Sequence, residues 1–179
     1  MSVKLQLEQL HRDYSQKVQQ NTGQLPVILH DAQWPSDCEI APVDSQGYIQ
    51  WQAVTQNPTG TLDNLANALS LSFPKTLSEF YGSVYGGNIF ASIEGHDIEL
   101  LQTWNSDDFE LLQQNITGHI LMKQKLKQPE TVFIGLTEQE DLLVSVLVHT
   151  GEVCLEFVGK KTHHVLAPDM NSFLSQLKL

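Results

Sequence analysis

TVFIGLTEQEDLLVSVLVHTGEVCLEFVG, residues 131–159, holds three short runs rich in β-branched and aromatic residues, separated by polar or glycine-bearing breaks. TVFIGLT, DLLVSVLVH and GEVCLEFVG read as three strands. The last two predict a hairpin around Thr150-Gly151, with Val148 facing Val153 and Val146 facing Leu155. Upstream, NIFASIEGHDIELLQT, residues 88–103, predicts another hairpin with Gly95-His96 at its turn. In that register Ile93 faces Ile98 and Ala91 faces Leu100, an apolar side. The other side sets Glu94 against Asp97 and Ser92 against Glu99. Like charges directly opposite are unfavourable by up to about 1 kcal/mol. Acids kept there either point into open solvent or are used for binding.

Between the hairpins, LQTWNSDDFELL, residues 101–112, predicts a helix start. Asn105 or Ser106 suits the N-cap, and Asp107, Asp108 and Glu110 suit the positive end of the macrodipole. Phe109, Leu112, Ile116 and Ile120 continue an apolar stripe, and Lys123, Lys125 and Lys127 lie at or just past the other end, which also suits the dipole. FPKTLSEFYGSVYGG, residues 73–87, predicts a helix with Pro74 in its first turn and a stripe of Leu77, Phe80, Tyr81 and Val84. Gly86-Gly87 supplies its stop. It lacks the Gly-Lys-Ser/Thr finish of a phosphate loop and follows a helix rather than a strand.

Outward again, GYIQWQAV, residues 47–54, alternates as a strand with Ile49, Trp51 and Ala53 on one face. Leu62, Leu65 and Leu69 predict a short helix over 62–70. Val3, Leu7, Leu10, Tyr14 and Val18 predict an N-terminal amphipathic helix, and Met170, Phe173, Leu174 and Leu177 a C-terminal one. Residues 19–46, with Pro26, Pro35 and Pro42, read as an irregular excursion. Strands flanked by helices without regular β-α-β alternation imply an α+β fold: one domain over residues 1–179, with a mainly antiparallel sheet and flanking helices.

The 179 residues, 41% of them hydrophobic, suffice for a sizeable core without disulfides or metal. No apolar run approaches the roughly 18–20 residues of a membrane span. The N-terminus has no hydrophobic signal-peptide core, so a soluble cytoplasmic protein is expected. Residues 18–122 hold twelve acids and one base, Lys75, which equals the whole net charge of −11. That field repels nucleic acid and anionic lipid and attracts basic partners, although acidity also serves solubility.

Catalytic signals are weak. Cys38 and Cys154 form neither a disulfide framework nor a zinc spacing, and the seven histidines show no HExxH pattern. His163 and His164 are adjacent, so on a strand they point to opposite faces. His149 and Cys154 fall on adjoining strands, but Cys154 lies in the apolar run VCLEF, where a small buried thiol is commonplace. No GxSxG, P-loop or dinucleotide fingerprint occurs. A carboxylate pair for glycoside hydrolysis can be drawn in too many ways to carry weight. No enzyme, cofactor or metal site is expected. Trp51 reads as core. Trp104, just before the acids, reads as a partly exposed aromatic suited to lysine or arginine.

The run LLQTWNSDDFELLQQNITGHILMKQKLKQPETVFIG, with GEVCLEFVG and FLSQLK, resembles the Syd family of SecY-interacting proteins. The resemblance spans essentially the full length, dense over 100–135 and weak over 19–46. FPKTLSEFYGSVYGG is similar to the LP-x-x-L-x-x-FY…GG signature of the wider SUKH superfamily, with Phe73 in place of leucine and Tyr85 in place of a polar residue. The resemblance implies a non-catalytic, SUKH-like α+β protein. It would bind basic cytosolic loops of SecY through an electronegative concave surface, checking or sequestering improperly assembled SecY and restraining such a translocase. Excess lysine and arginine in cytosolic loops of membrane proteins fits that role. The implied address is the cytoplasmic side of the inner membrane, reached through SecY, with no nucleic-acid partner. Motif position carries the acidic surface onto Asp107 and Asp108, with Trp104 beside them. The hairpin and helix readings add Glu94, Asp97, Glu99 and Glu110. The alternative is a SUKH-type immunity protein that neutralises a basic toxin such as a nuclease.

Overall fold

The computed structural model describes residues 1–40 and 42–179; position 41, inside the expected irregular stretch, lies outside the described residues. Helix α1 (Val3–Thr22) starts where the Ser2 hydroxyl accepts the Leu5 N–H and ends at Gly23, whose left-handed φ of 80° lets its N–H reach Gln19 O. Strands β1 (Val27–Leu29), β2 (Glu39–Ile40) and β3 (Tyr48–Trp51) follow, then β4 (Val54–Thr55), α2 (Asp63–Ala68), α3 (Lys75–Gly82) and β5 (Val84–Tyr85). Next come β6 (Ile89–Ile93), β7 (His96–Leu100), α4 (Ser106–Lys125), β8 (Thr131–Thr137), β9 (Leu142–Leu147), β10 (Val153–Phe157), β11 (His164–Ala167) and α5 (Met170–Gln176).

The main sheet runs β11-β10-β9-β8-β7-β6, antiparallel throughout. Successive residues of β9 and β10 are buried, so its centre is covered on both faces. The sheet curls, bringing Glu94 at the β6–β7 tip within 2.7 Å of His164 on the far edge strand. A second, three-stranded sheet has the order β1-β3-β2, so part of the excursion over 19–46 is regular structure. The α+β class with a mainly antiparallel sheet is therefore as the sequence implies.

Both hairpins pair two residues away from the expected register. Ile93 faces His96, so Ser92 faces Asp97 and Phe90 faces Glu99. The turn is Glu94-Gly95, with φ values of 49° and 84°, the doubly positive geometry of a tight two-residue turn that matches strand twist. Glu94 and Asp97 are therefore not cross-strand partners, and the inferred like-charge opposition does not exist. A shift of two preserves the faces, so Ile89, Ala91, Ile93, Ile98 and Leu100 still point into the core. Likewise Val146 pairs with Val153 and Val144 with Leu155. Gly151, left-handed at φ 80°, closes that loop by donating to Leu147 O. His149 thus occupies the turn rather than a strand beside Cys154.

Helix α3 also stops earlier than expected. It ends at Gly82, where a Cβ would lie 2.0 Å from the Gly60 carbonyl oxygen. The chain then turns into β5, which pairs with β4. Gly86-Gly87 is instead a packing pair: Cβ atoms there would press within 2.7 Å of His11 and 2.6 Å of Trp51 respectively.

Candidate functional site: an acidic groove over an aromatic floor

Trp51 and Trp104 meet edge to face at 6.2 Å, and Tyr14 stacks on Trp51 at 6.4 Å. With buried Cys38 and partly buried Ile28 and Trp34 they form a small core separate from the main one. It underlies an open groove of about 830 Å³. Val27 and Leu29 of β1, Tyr14 of α1, Phe90 and Glu99 of the β6–β7 hairpin, and Asp108 of α4 all line it.

The WNSD motif builds one end of this groove. Asn105 caps α4 by accepting the Asp108 N–H at 2.7 Å, while its side-chain amide donates to Pro35 O at 2.9 Å. The Trp104 indole N–H donates to Trp34 O at 3.1 Å, and the Ser36 hydroxyl donates to Trp104 O at 2.6 Å. The segment 34–36 is thereby tied to the start of α4. Asp108 turns back to accept the Trp104 backbone N–H at 2.7 Å. Burial raises the Asp108 carboxyl above its usual range, partly offset by that N–H.

The predicted site residues divide among several surfaces. Glu99, Trp104 and Asp108 line the groove. Trp104 is only 7% exposed, so the expected partial exposure is corrected: its ring packs edge to face with Trp51 and its N–H is taken by Trp34 O. Asp97 lines an adjoining depression with Ser92 and Lys178. Glu94 is at the hairpin tip with His164. Glu110 lies on the flank of α4 beside Gln113 and Gln114, and Asp107 is exposed in its first turn.

Sequence reasoning missed Asp31 and the exposed apolar groups of the wall. Asp31 lines the groove and accepts the Gln33 N–H at 2.9 Å in a local turn. Val27 (40%), Leu29 (64%), Tyr48 (40%) and Phe90 (58%) are exposed although large and apolar, and all four line the groove. The run PVIL within the excursion was the available signal. Glu99 is held by Asn88, whose amide donates to it at 2.8 Å while its carbonyl oxygen accepts the Gln102 N–H at 2.8 Å. Burial, with the nearby charge of Glu99, raises the Tyr14 phenol above its usual range.

Two features that invite a catalytic reading are accounted for structurally. Burial pushes the Cys154 thiol up to about 11, the opposite of an activated nucleophile. Lys123, expected at the helix end where its charge suits the dipole, is 1% exposed and ion-pairs Glu156 at 2.7 Å. Glu156 also accepts the Thr131 hydroxyl at 2.6 Å and lies 3.2 Å from His119 Nε2, while Lys123 donates to Lys160 O. The cluster's groups are spent on one another, fastening α4 to β8 and β10.

The sequence model of the Syd protein (SUKH-2) family matches residues 4–178. Protein Syd of Pseudoalteromonas translucida (strain TAC 125) is 65% identical over 179 residues, all of both chains. Protein Syd of Colwellia psychrerythraea (strain 34H / ATCC BAA-681) is 40% identical over 175 residues, covering 93% of this chain and 87% of the relative. Protein Syd of Alteromonas mediterranea (strain DSM 17117 / CIP 110805 / LMG 28347 / Deep ecotype) is 38% identical over 169 residues, covering 94% and 93%.

Proposed function

The chain belongs to the Syd protein (SUKH-2) family, and from that premise we propose that it is a non-catalytic binding protein that takes basic cytosolic loops of SecY into the acidic groove. Residues 1–179 act as one domain in this reading. The observation that carries it is a groove combining Asp31, Glu99 and Asp108 with exposed Leu29, Tyr48 and Phe90. Carboxylates at its wall attract lysine and arginine, and the apolar surface accepts their aliphatic stems. Glu94, Asp97, Asp107 and Glu110, outside the groove, supply the longer-range field that steers a basic partner. Among the described residues no helix is long and apolar enough to cross a membrane. In this reading association with the inner membrane runs through SecY on the cytoplasmic side. Capture of SecY loops withholds improperly assembled SecY from translocation.

The experiment compares wild type with the Asp31→Asn, Glu99→Gln double variant on membranes with and without SecY, at low and high salt. Both substitutions keep shape and remove charge. Binding depends on SecY, falls with salt, and falls roughly tenfold in the variant at low salt, mainly through the association rate. Equal binding by the folded variant at low salt, or binding without SecY, overturns the reading.

A further inference from the structure

We propose that the partner's basic segment binds in extended form, as a strand added to the free edge of β1. This rests on the groove being the docking site. Among the described residues strand β1 pairs only with β3, with Val27 opposite Gln50, Ile28 opposite Ile49 and Leu29 opposite Tyr48. Trp51 N–H donates to Pro26 O, and His30 N–H donates to Gly47 O. In an antiparallel ladder bonded pairs recur every second residue, so Ile28 is the bonded member between them. The N–H and C=O groups of Val27 and Leu29 therefore point away from β3. Among the described residues none of these four groups has a hydrogen-bond partner.

The outer edge of β6, which also borders the groove, is closed at one position: Ser92 exchanges two backbone bonds with Lys178, at 2.8 and 2.9 Å, so the chain's own C-terminal segment covers it there. At β1 the edge is open, and its flanking side chains Val27 and Leu29 line the groove rather than the core. An unpaired edge is a template for another extended chain, and natural proteins ordinarily blunt it with charge, proline or a covering segment.

The occupant follows from the surroundings. Two edge residues offer two donors and two acceptors, which an extended segment of about five residues matches at roughly 3.3 Å per residue. Its alternate side chains on the Leu29 face point into the groove, where exposed Leu29 and Tyr48 accept aliphatic stems and Asp31, Glu99 and Asp108 accept positive heads, so these positions carry lysine or arginine. Main-chain bonds then supply affinity that tolerates sequence variation among loops, while charge selects loops over other extended chains.

The test uses a fluorescently labelled decapeptide from a lysine-rich cytosolic loop of SecY, with binding read by polarisation at low salt. A series carries a single N-methyl group at each backbone position in turn. Strand addition predicts a period-two pattern, with roughly tenfold loss at alternate positions and little at those between. A companion variant, Leu29→Pro, removes an N–H that makes no bond to β3 and loses roughly tenfold in affinity for the parent peptide. If the N-methyl series shows no period-two pattern while Asp31→Asn, Glu99→Gln still weakens binding, strand addition is wrong and the acidic groove stands. If the parent peptide does not bind wild type, both fail. The peptide series leaves the protein unaltered, so it decides the matter even where Leu29→Pro disturbs the fold.

Discussion

His11 and Gly82 show how single residues are committed by their surroundings. His11 Nε2–H donates to Gln102 Oε1 at 2.9 Å, while Nδ1 is buried with no partner among the described residues. Burial lowers its pKa from 6.5 to about 4, with the Gln102 bond opposing in part. The folded state therefore holds it neutral. That contribution is complete above pH 6.5 and is lost as pH falls toward 4, up to about 3 kcal/mol. Urea midpoints across this range should fall more steeply for wild type than for His11→Phe; parallel curves would reject the assignment. Gly82 faces the Gly60 backbone, whose N–H donates to Gly82 O at 2.8 Å. A Cβ has no flexible neighbour to displace there, so Gly82→Ala should cost more than about 2 kcal/mol in chemical denaturation. Neither role was legible beforehand. His11 falls among the polar letters of an amphipathic helix, and Gly82 reads as one more helical residue in SEFYG, because their partners at 102 and 60 are distant in sequence.

At the scale of elements, α4 joins the two halves of the functional design. Its first turn holds the groove end through Trp104, Asn105 and Asp108, and its last turns are locked to the sheet through Lys123. Burial works to raise the Glu156 pKa, but hydrogen bonds from His119, Lys123 and Thr131 outweigh it and hold the value at about 2. The stability this contributes is present above the ordinary value of 4.5 and is lost as pH falls toward 2. Removing one partner leaves a buried charge uncompensated. Lys123→Met should therefore cost about 3–5 kcal/mol, and adding Glu156→Leu should restore part of the loss. A double variant no more stable than Lys123→Met would refute this. The helix itself, with its N-cap and stripe, was readable because capping and periodicity are local. The hairpins were readable as hairpins with the right faces, since period-two alternation survives a slip of two. Their register was not, because a positive φ at Glu94 is set by the folded turn and left no mark in residue type.

Across the whole molecule, charge acts in opposite senses on folding and on binding. A net charge of −11, accumulated over residues 18–122, repels itself in the compact state. Raising salt from about 0.02 to about 0.5 M should raise the melting temperature modestly, while weakening attachment to SecY-containing membranes. Movement of both in the same direction would contradict the electrostatic account. Charge, strand and helix content, and the α+β class followed from the amino-acid sequence alone, because each depends on composition or on neighbours within a few positions. The groove did not. Its wall combines Leu29, Phe90 and Asp108, and its floor joins Cys38, Trp51 and Trp104. Only packing could show that Trp104 supports the surface from beneath, or that Asp31 belongs beside Glu99. Local chemistry determined which pieces form; the long-range contacts of the tertiary structure decided which acids share a surface, and which strand edge remains open beside them.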